Sequence, residues 1–387
     1  MARQYPRAEI VFIDAAARGR LIDLPGDLAG LPNIHRTTFE YWHREASVLR
    51  AGIDRLLNIL ARQTALATGI PLLDAFSPKA RGILNQVLRL APAADLYIGH
   101  NVDALPVIGA LVGRSRAPLV FDSMEYYSDM GSGQSEDESK IIRLMEARLL
   151  GKFSLVLTSS EQIALALRDE YGVERTLTLE NVPPATAIPK GTKLSGFNLY
   201  WRNSVLGVGA RGLQDAIAAL KLLPENVRLH LQGRLPGGDG SLRAEIRAAG
   251  LESRIEIHPP YPAGEAVLAA ARYQVGLCLE QDVCRNHRLT VSNKLFDYFM
   301  GGLAVVVSDL PGLRGVVERA GGGLLYRPGD VASLAGALRT LYDDPQRVSS
   351  MAGSNRSFAL RSGNEEAVMS MFTASIGRLL AKPSVAS

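Results

Sequence analysis

The sequence predicts an α/β protein of two Rossmann-like, doubly wound domains facing each other across a cleft. Three observations predict it. The chain has 387 residues, more than one hydrophobic core ordinarily organises. In both halves, short apolar runs rich in β-formers alternate with longer segments of helical period, the pattern of parallel strands joined by crossover helices. Between the halves, residues 181–196 carry Pro183, Pro184, Pro189, Gly191 and Gly196, which interrupt any regular element.

In the first half the expected strands are Glu9 to Asp14, Asp95 to Gly99, Pro118 to Asp122 and Leu155 to Ser159. The segment from Thr37 to Thr68 has helical spacing and is expected to form one or two long helices. In the second half the strands are expected near Asn198 to Trp201, Arg228 to Gln232, Arg254 to His258, Val275 to Leu279, Leu303 to Val307 and Gly323 to Tyr326. A long helical stretch, about Asp344 to Leu380, precedes a small polar tail. The expected domains are 1–185, on the acceptor side, and 197–365, on the nucleotide side. Residues 186–196 link them, and 366–387 form a helix that packs back on the first domain, with the tail. In open α/β sheets, ligands sit outside the carboxyl ends of the strands, which makes the cleft the expected site.

Hydrophobic residues make up 47% of the chain and charged residues 21%, a globular balance. The formal charge of +4 is small and its cations are interspersed with acids, which argues against nucleic acid as a partner. Cys278 and Cys284 are too few for a disulfide framework and lack zinc-ligand spacing, in keeping with a reducing cytoplasm. No apolar run reaches the roughly 18 to 20 residues of a membrane span, and Glu9 and Asp14 interrupt the only early apolar stretch.

The most informative stretch is SNKLFDYFMGGLAVVVSDLPGL, Ser292 to Leu313: a helix, a Gly-Gly stop, a buried strand and a loop. Ser292 suits the N-cap. Asn293 and Asp297 lie four apart on one helix face. The helix N-terminus offers backbone N–H groups to a phosphate, Lys294 adds a positive charge, and Asp297 is suited to accept hydrogen bonds from two ribose hydroxyls.

This stretch resembles the nucleotide-sugar segment of the group 1, glycogen-synthase-like retaining glycosyltransferases, in which a Pro-Asn-Lys-Leu-Phe-Glu-Tyr-like helix precedes a Pro-Val-Val strand. Here Ser292 replaces the proline and Asp297 the glutamate. The resemblance extends to NLYWRNSVLGVGARGLQDAI, Asn198 to Ile217, where Gly209 and Gly212 border Arg211, the counterpart of the family's diphosphate-binding cation. RLHLQGR, Arg228 to Arg234, resembles the strand ending at a glycine beside the base, here Gly233 and Arg234. In the first half DLYIGHNVDALP and PLVFDSMEYY are similar to acceptor-side segments, which gives His100 and Glu125 those roles.

The resemblance implies the GT-B fold and a transferase that moves a hexose from a nucleotide diphosphate sugar, UDP-linked by expectation, to an acceptor hydroxyl with retention. It implies His100, Arg211 and Lys294 as catalytic groups and Gly209, Gly212, Gly233, Arg234, Ser292, Asn293, Leu295 and Asp297 as donor-binding ones. Two departures stand out. The family's first acid, eight residues before Asp297, is Leu289 here, which leaves Glu280 or Asn286 as substitutes, or a subfamily that does without that acid. The glycine-rich turn after the first strand is replaced by Ala15, Ala16, Ala17 and Arg18 before Gly19.

Gly207, Gly209 and Gly212 also form a GxGxxG pattern, but the next strand ends in Gln232, Gly233 and Arg234 without the carboxylate of a dinucleotide site. No Asp-x-Asp is present, the six histidines are scattered and none forms a HExxH pair, so neither a metal nor a cofactor is expected; the nucleotide sugar is a substrate. The acceptor class, whether glycan, lipid-linked or small molecule, stays open. So do two readings of Phe39 to Leu60, with Tyr41, Trp42, His43, Arg44, Arg50 and Arg55. They form either a helix packed on its own sheet or a peripheral contact with the inner face of a membrane. Two rival functions keep the architecture: a sugar-nucleotide epimerase, for which no acid/base pair is evident, and a non-catalytic scaffold.

Overall fold

A computed structural model describes residues 5–17, 31–41, 48–77, 79–91, 93–207, 211–235, 240–262 and 264–381. The chain divides into two compact units. The first comprises Met1–Thr158, Ile163–Thr178 and Met371–Ser387, the second Ser159–Gln162 and Leu179–Ser370.

In the first unit, a parallel pair joins β1 (Ile10–Ala17) to β2 (Ile34–Tyr41), with Ile10 opposite Ile34. Strand β2 corrects the expected helix over residues 37–41, and the described helix is Val48–Thr68. The sequence IHRTTFEY is rich in β-branched and aromatic residues, which fit a pleated surface better than a helix. A separate parallel sheet holds β3 (Tyr97–His100), β4 (Leu119–Ser123), β5 (Leu155–Thr158) and β6 (Thr176–Thr178) in that order. All four residues of β5 and four of the five in β4 are buried, as expected of parallel strands covered on both faces.

The second unit holds β7 (Asn198–Val205), β8 (Arg228–Arg234), β9 (Ile255–His258), β10 (Val275–Cys278), β11 (Ala304–Ser308) and β12 (Gly323–Tyr326), all parallel. Their spatial order is β9-β8-β7-β10-β11-β12. This is the Rossmann order, in which the chain starts at the centre, winds to one edge, returns and winds to the other.

Alternate residues of the central strands enter two different cores. Leu199, Trp201, Ala304 and Val306 pack on one face with Leu229, Leu231 and Leu338. Tyr200, Val305 and Val307 pack on the other with Phe296, Phe299 and Phe358. This period of two is why the strands read as unbroken apolar runs in the sequence.

The expected single C-terminal stretch is two helices, Pro345–Arg361 and Glu365–Ala381. Asn364 makes the break. Its amide nitrogen donates to the carbonyls of Ala359 and Leu360, while its side-chain oxygen accepts from the Ala367 amide, so one side chain caps both helix ends. Among the described residues no helix is long and apolar enough to cross a membrane. Cys278 and Cys284 are free and buried.

Candidate functional site

In the second unit the direction of winding reverses between β7 and β10, and sheets of this kind bind ligands outside the carboxyl ends of the strands at such a reversal. Several of the sequence-selected residues gather there. Arg211 and Gly212 follow β7, Glu280 follows β10, and the helix Asn293–Met300 brings Lys294 and Asp297.

Local sequence explains the placement. Gly212 adopts φ 69° at the start of the helix Leu213–Leu220, and a Cβ there would lie 2.1 Å from the Leu279 carbonyl oxygen. Only glycine lets this turn lie against the end of β10. The indole N–H of the wholly buried Trp201 donates to the Arg211 carbonyl at 3.3 Å and anchors the same turn. Gly233 has a comparable reason: a Cβ would stand 2.0 Å from the Asn203 carbonyl oxygen.

Two buried ion pairs dominate the electrostatics. Lys294 Nζ lies 2.9 Å from Glu280 Oε1, with both side chains about 5% exposed. Arg211 Nη1 approaches the same oxygen at 3.6 Å. Burial pushes the Glu280 carboxyl up, but the charges of Lys294 and Arg211 outweigh it and hold the group below the usual carboxylate range. Lys294 also sits over the Trp201 ring, 5.6 Å from its centroid.

The second pair joins Arg202 to Asp297. Here burial wins, and the Asp297 carboxyl is raised despite Arg202. Arg202 also donates to the Tyr261 hydroxyl at 2.6 Å.

The geometry corrects three expectations. Lys294 is not a spare charge at a helix end, since Glu280 neutralises it; the uncompensated positive charge of the group comes from two cations sharing one carboxylate. Ser292 occupies the N-cap position, but its hydroxyl makes no capping bond. Leu295 is wholly enclosed in the core with Phe296 and Tyr298, so its side chain packs the helix and offers no face to a ligand. Asn293 and Arg234 are not buried, whereas Asn286 is, and its carbonyl accepts from the Thr290 amide at 2.9 Å.

In the first unit, His100 ends β3 with an exposed imidazole whose Nδ1 lies 2.8 Å from Asp122 Oδ2 on β4. The parallel register sets these two residues opposite each other. Glu125 follows β4 and is half-buried. Gly19 and Gly209 lie outside the described residues, as do Trp42, His43 and Arg44.

The sequence reading missed Arg202, Asp122 and Asp215. Asp215 is buried and accepts hydrogen bonds from Gln281 Nε2, the Tyr326 hydroxyl and the Gly329 amide, which ties the ends of β10 and β12 to the turn at Gly212. It also treated the histidines as scattered. His230 and His258 instead stand side by side with Glu256, because β8 pairs with β9. The Glu-Ile-His spacing of Glu256 and His258, two residues apart on one strand face, was the available signal. Burial pushes the His230 pKa down to about 4, so its ring is neutral at ordinary pH.

Residues 206–344 match the family model described as Glycosyl transferases group 1. The fold, with its two Rossmann-like domains, is that of the GT-B glycosyltransferases. Anabaena HepE, solved in complex with UDP, is 17% identical with a TM-score of 0.67, over 96% of this chain and all of that one. Sucrose-phosphate synthase from Thermosynechococcus elongatus is 16% identical with a TM-score of 0.65, over 98% of this chain and 91% of that one. A point mutant of S. aureus TarM, solved with Fondaparinux, alpha-GlcNAc-glycerol and UDP, is 13% identical with a TM-score of 0.59, over 79% of this chain and 59% of that one. No curated protein sequence matches the chain significantly.

Proposed function

We propose that the protein is a glycosyltransferase of hexosyltransferase type that takes its sugar from a UDP-sugar and delivers it to an acceptor hydroxyl, with retention and without a metal ion. The observation that carries this reading is the Arg211–Glu280–Lys294 group at the carboxyl ends of β7 and β10, inside the segment that matches the group 1 model. A diphosphate is the ligand that suits it: two cations held by one buried carboxylate, beside the N-terminus of the helix Asn293–Met300.

In this reading Arg211 binds the diphosphate directly, Lys294 supplies the second positive charge, and Glu280 is a positioning residue that holds both cations. The UDP in HepE and TarM, and the UDP-glucose in a further HepE structure, support uridine as the base. Asp297 accepts from the ribose hydroxyls. The acceptor oxygen bonds to the anomeric carbon as the bond from that carbon to the β-phosphate oxygen breaks; the departing phosphate oxygen takes the hydroxyl proton, leaving UDP and the new glycoside. Negative charge grows on the leaving phosphate, where a fixed cation lowers the barrier most. In the first unit, Asp122 holds the His100 imidazole in one orientation, and His100 serves the acceptor side.

Isothermal titration of the purified protein with UDP, GDP and ADP tests the donor assignment. Saturable, UDP-preferring binding that weakens in Arg211→Ala supports it. A folded protein that binds no nucleoside diphosphate overturns it in favour of a scaffold. Product analysis then separates the chemistry: release of an epimerised nucleotide sugar without acceptor marks an epimerase, and an inverted glycoside rules out retention.

A further inference from the structure

A second group of side chains on the sheet of the second unit plays no part in that chemistry. His230 on β8 and Glu256 and His258 on β9 face the same side of the sheet. His230 Nδ1 lies 3.0 Å from His258 Nε2 and 3.5 Å from Glu256 Oε2, and His258 Nε2 lies 3.8 Å from that same oxygen. A tetrahedral ion with ligand bonds of about 2.0–2.1 Å sets its ligand atoms about 3.3 Å apart. The three separations bracket this value.

The surroundings fix which lone pair is available. Asn198 Nδ2 donates to the Ser195 carbonyl at 3.0 Å and to Gln274 Oε1 at 3.0 Å. Its side-chain oxygen is therefore the atom facing His230 Nε2, at 3.0 Å, and Nε2 must carry the ring proton. Nδ1 is left with a bare lone pair directed at His258 and Glu256. A histidine whose far nitrogen donates to a fixed oxygen while its near nitrogen is free is the usual arrangement around a metal-bound imidazole. Packing against Tyr273, with centroids 4.6 Å apart, also holds the His230 ring.

We propose that His230 Nδ1, His258 Nε2 and the Glu256 carboxylate bind one divalent transition-metal ion of the zinc class, with water completing the tetrahedron. One face of the site is built and buried, since His230 is about 3% exposed; the other is open, since Glu256 is about 59% exposed, which gives the ion a path in from solvent. Two imidazoles and one carboxylate favour zinc over magnesium or calcium, which prefer oxygen donors and higher coordination. The bound ion clamps edge strand β9 to β8, three residues before Tyr261, the partner of Arg202. The alternative for the same atoms is a direct hydrogen bond between the two imidazoles.

The test uses the full-length protein, dialysed against a chelator and titrated with Zn2+ alone by calorimetry, with Co2+ absorption reporting geometry. The expected result is one saturable ion per chain at micromolar or lower concentration, the intense visible bands of tetrahedral Co2+, and a rise in melting temperature on adding Zn2+. His258→Ala, on the edge strand, and Glu256→Gln, on the exposed side, should each weaken binding at least tenfold and abolish the rise. Absence of stoichiometric binding, or binding that persists unchanged in both variants, overturns the proposal and leaves the imidazole hydrogen bond. Mg2+ at the same concentration should give no rise. The readouts are binding and stability, so the result stands apart from that of the donor titration.

Discussion

Two glutamates, one in each unit, are almost fully withdrawn from water and yet shifted in opposite directions. Glu280 has Lys294 at 2.9 Å and Arg211 at 3.6 Å, and its carboxyl is held below the usual range. Glu146 has the Tyr171 hydroxyl at 3.0 Å, and burial, with smaller opposing contributions from Tyr171 and Ser128, raises it to about 7. Residue type and burial are the same; the partners decide. Neutral hydroxyls offset little of the desolvation of a carboxylate, whereas Lys294 and Arg211 together reverse it at Glu280. Glu280 accordingly anchors Lys294 and Arg211, and Glu146 packs as a hydrogen-bonding group inside a helix.

The sharpest way to break this contrast is to remove the cation. Lys294→Ala leaves Glu280 buried with only the more distant Arg211, and breaking a buried pair in this way costs about 3–5 kcal/mol. Thermal melting should fall by many degrees, and the transfer rate, measured on any protein that remains folded, by more than about 100-fold. A variant as stable as the wild type would mean that Glu280 is not sustained by this pair.

Arg211→Ala separates function from stability. The side chain is about half exposed, so unfolding free energy should change by no more than about 0.5 kcal/mol. If Arg211 stabilises the leaving group as proposed, its loss should lower kcat by about 100- to 1000-fold. Unchanged kcat with a weakened KM would reassign Arg211 to ground-state binding.

Glu146→Gln tests the other side of the contrast by pH. In the unfolded chain the carboxyl titrates at its ordinary value of 4.5, and in the folded protein at about 7. The folded state therefore holds the extra proton between those values. The stability that comes with it is fully present below pH 4.5 and is lost as pH rises through 7, by roughly 2–3 kcal/mol. Urea unfolding of the wild type at about pH 5 and about pH 8 should show this loss, and Glu146→Gln should remove most of it. An equal pH dependence in the two proteins would place the titrating group elsewhere.

The smallest effect concerns the intermediate case. Asp297 has one cation, Arg202, and burial still raises its carboxyl. Asp297→Asn keeps the shape and removes the charge; if Asp297 accepts from the ribose hydroxyls as proposed, UDP should bind about tenfold more weakly, a loss of about 1.4 kcal/mol. Calorimetry that finds UDP affinity unaltered would confine Asp297 to pairing with Arg202.

Much of the fold was legible because parallel strands with both faces covered leave continuous apolar runs, as in the runs that became β4, β5, β10 and β11. The segment from Ser292 to Leu313 announced helix, stop and strand by local chemistry: an N-cap residue type, Gly302 at φ 65°, and a run of valines. Strand β2 was hidden because IHRTTFEY carries charges among its β-formers and pairs with a strand distant from it in sequence. Of the candidate site, the residue types at Arg211, Lys294 and Asp297 could be read locally, but their partners could not.

Those partners were settled only by tertiary structure. Arg211 meets Glu280 because β7, which it follows, lies next to β10 at the reversal of winding, and Arg202 on β7 meets Asp297 across 95 positions of sequence. Asp122 meets His100, and Glu256 and His258 meet His230, because parallel pairing places chosen residues opposite one another. Sequence by itself determined where most strands and helices lie and what chemistry each could bring, since propensity, capping and periodicity act within a few neighbouring residues. Strand order and register decided which groups touch, and hence which carboxyl is charged, because these are set by packing between segments that the chain keeps far apart.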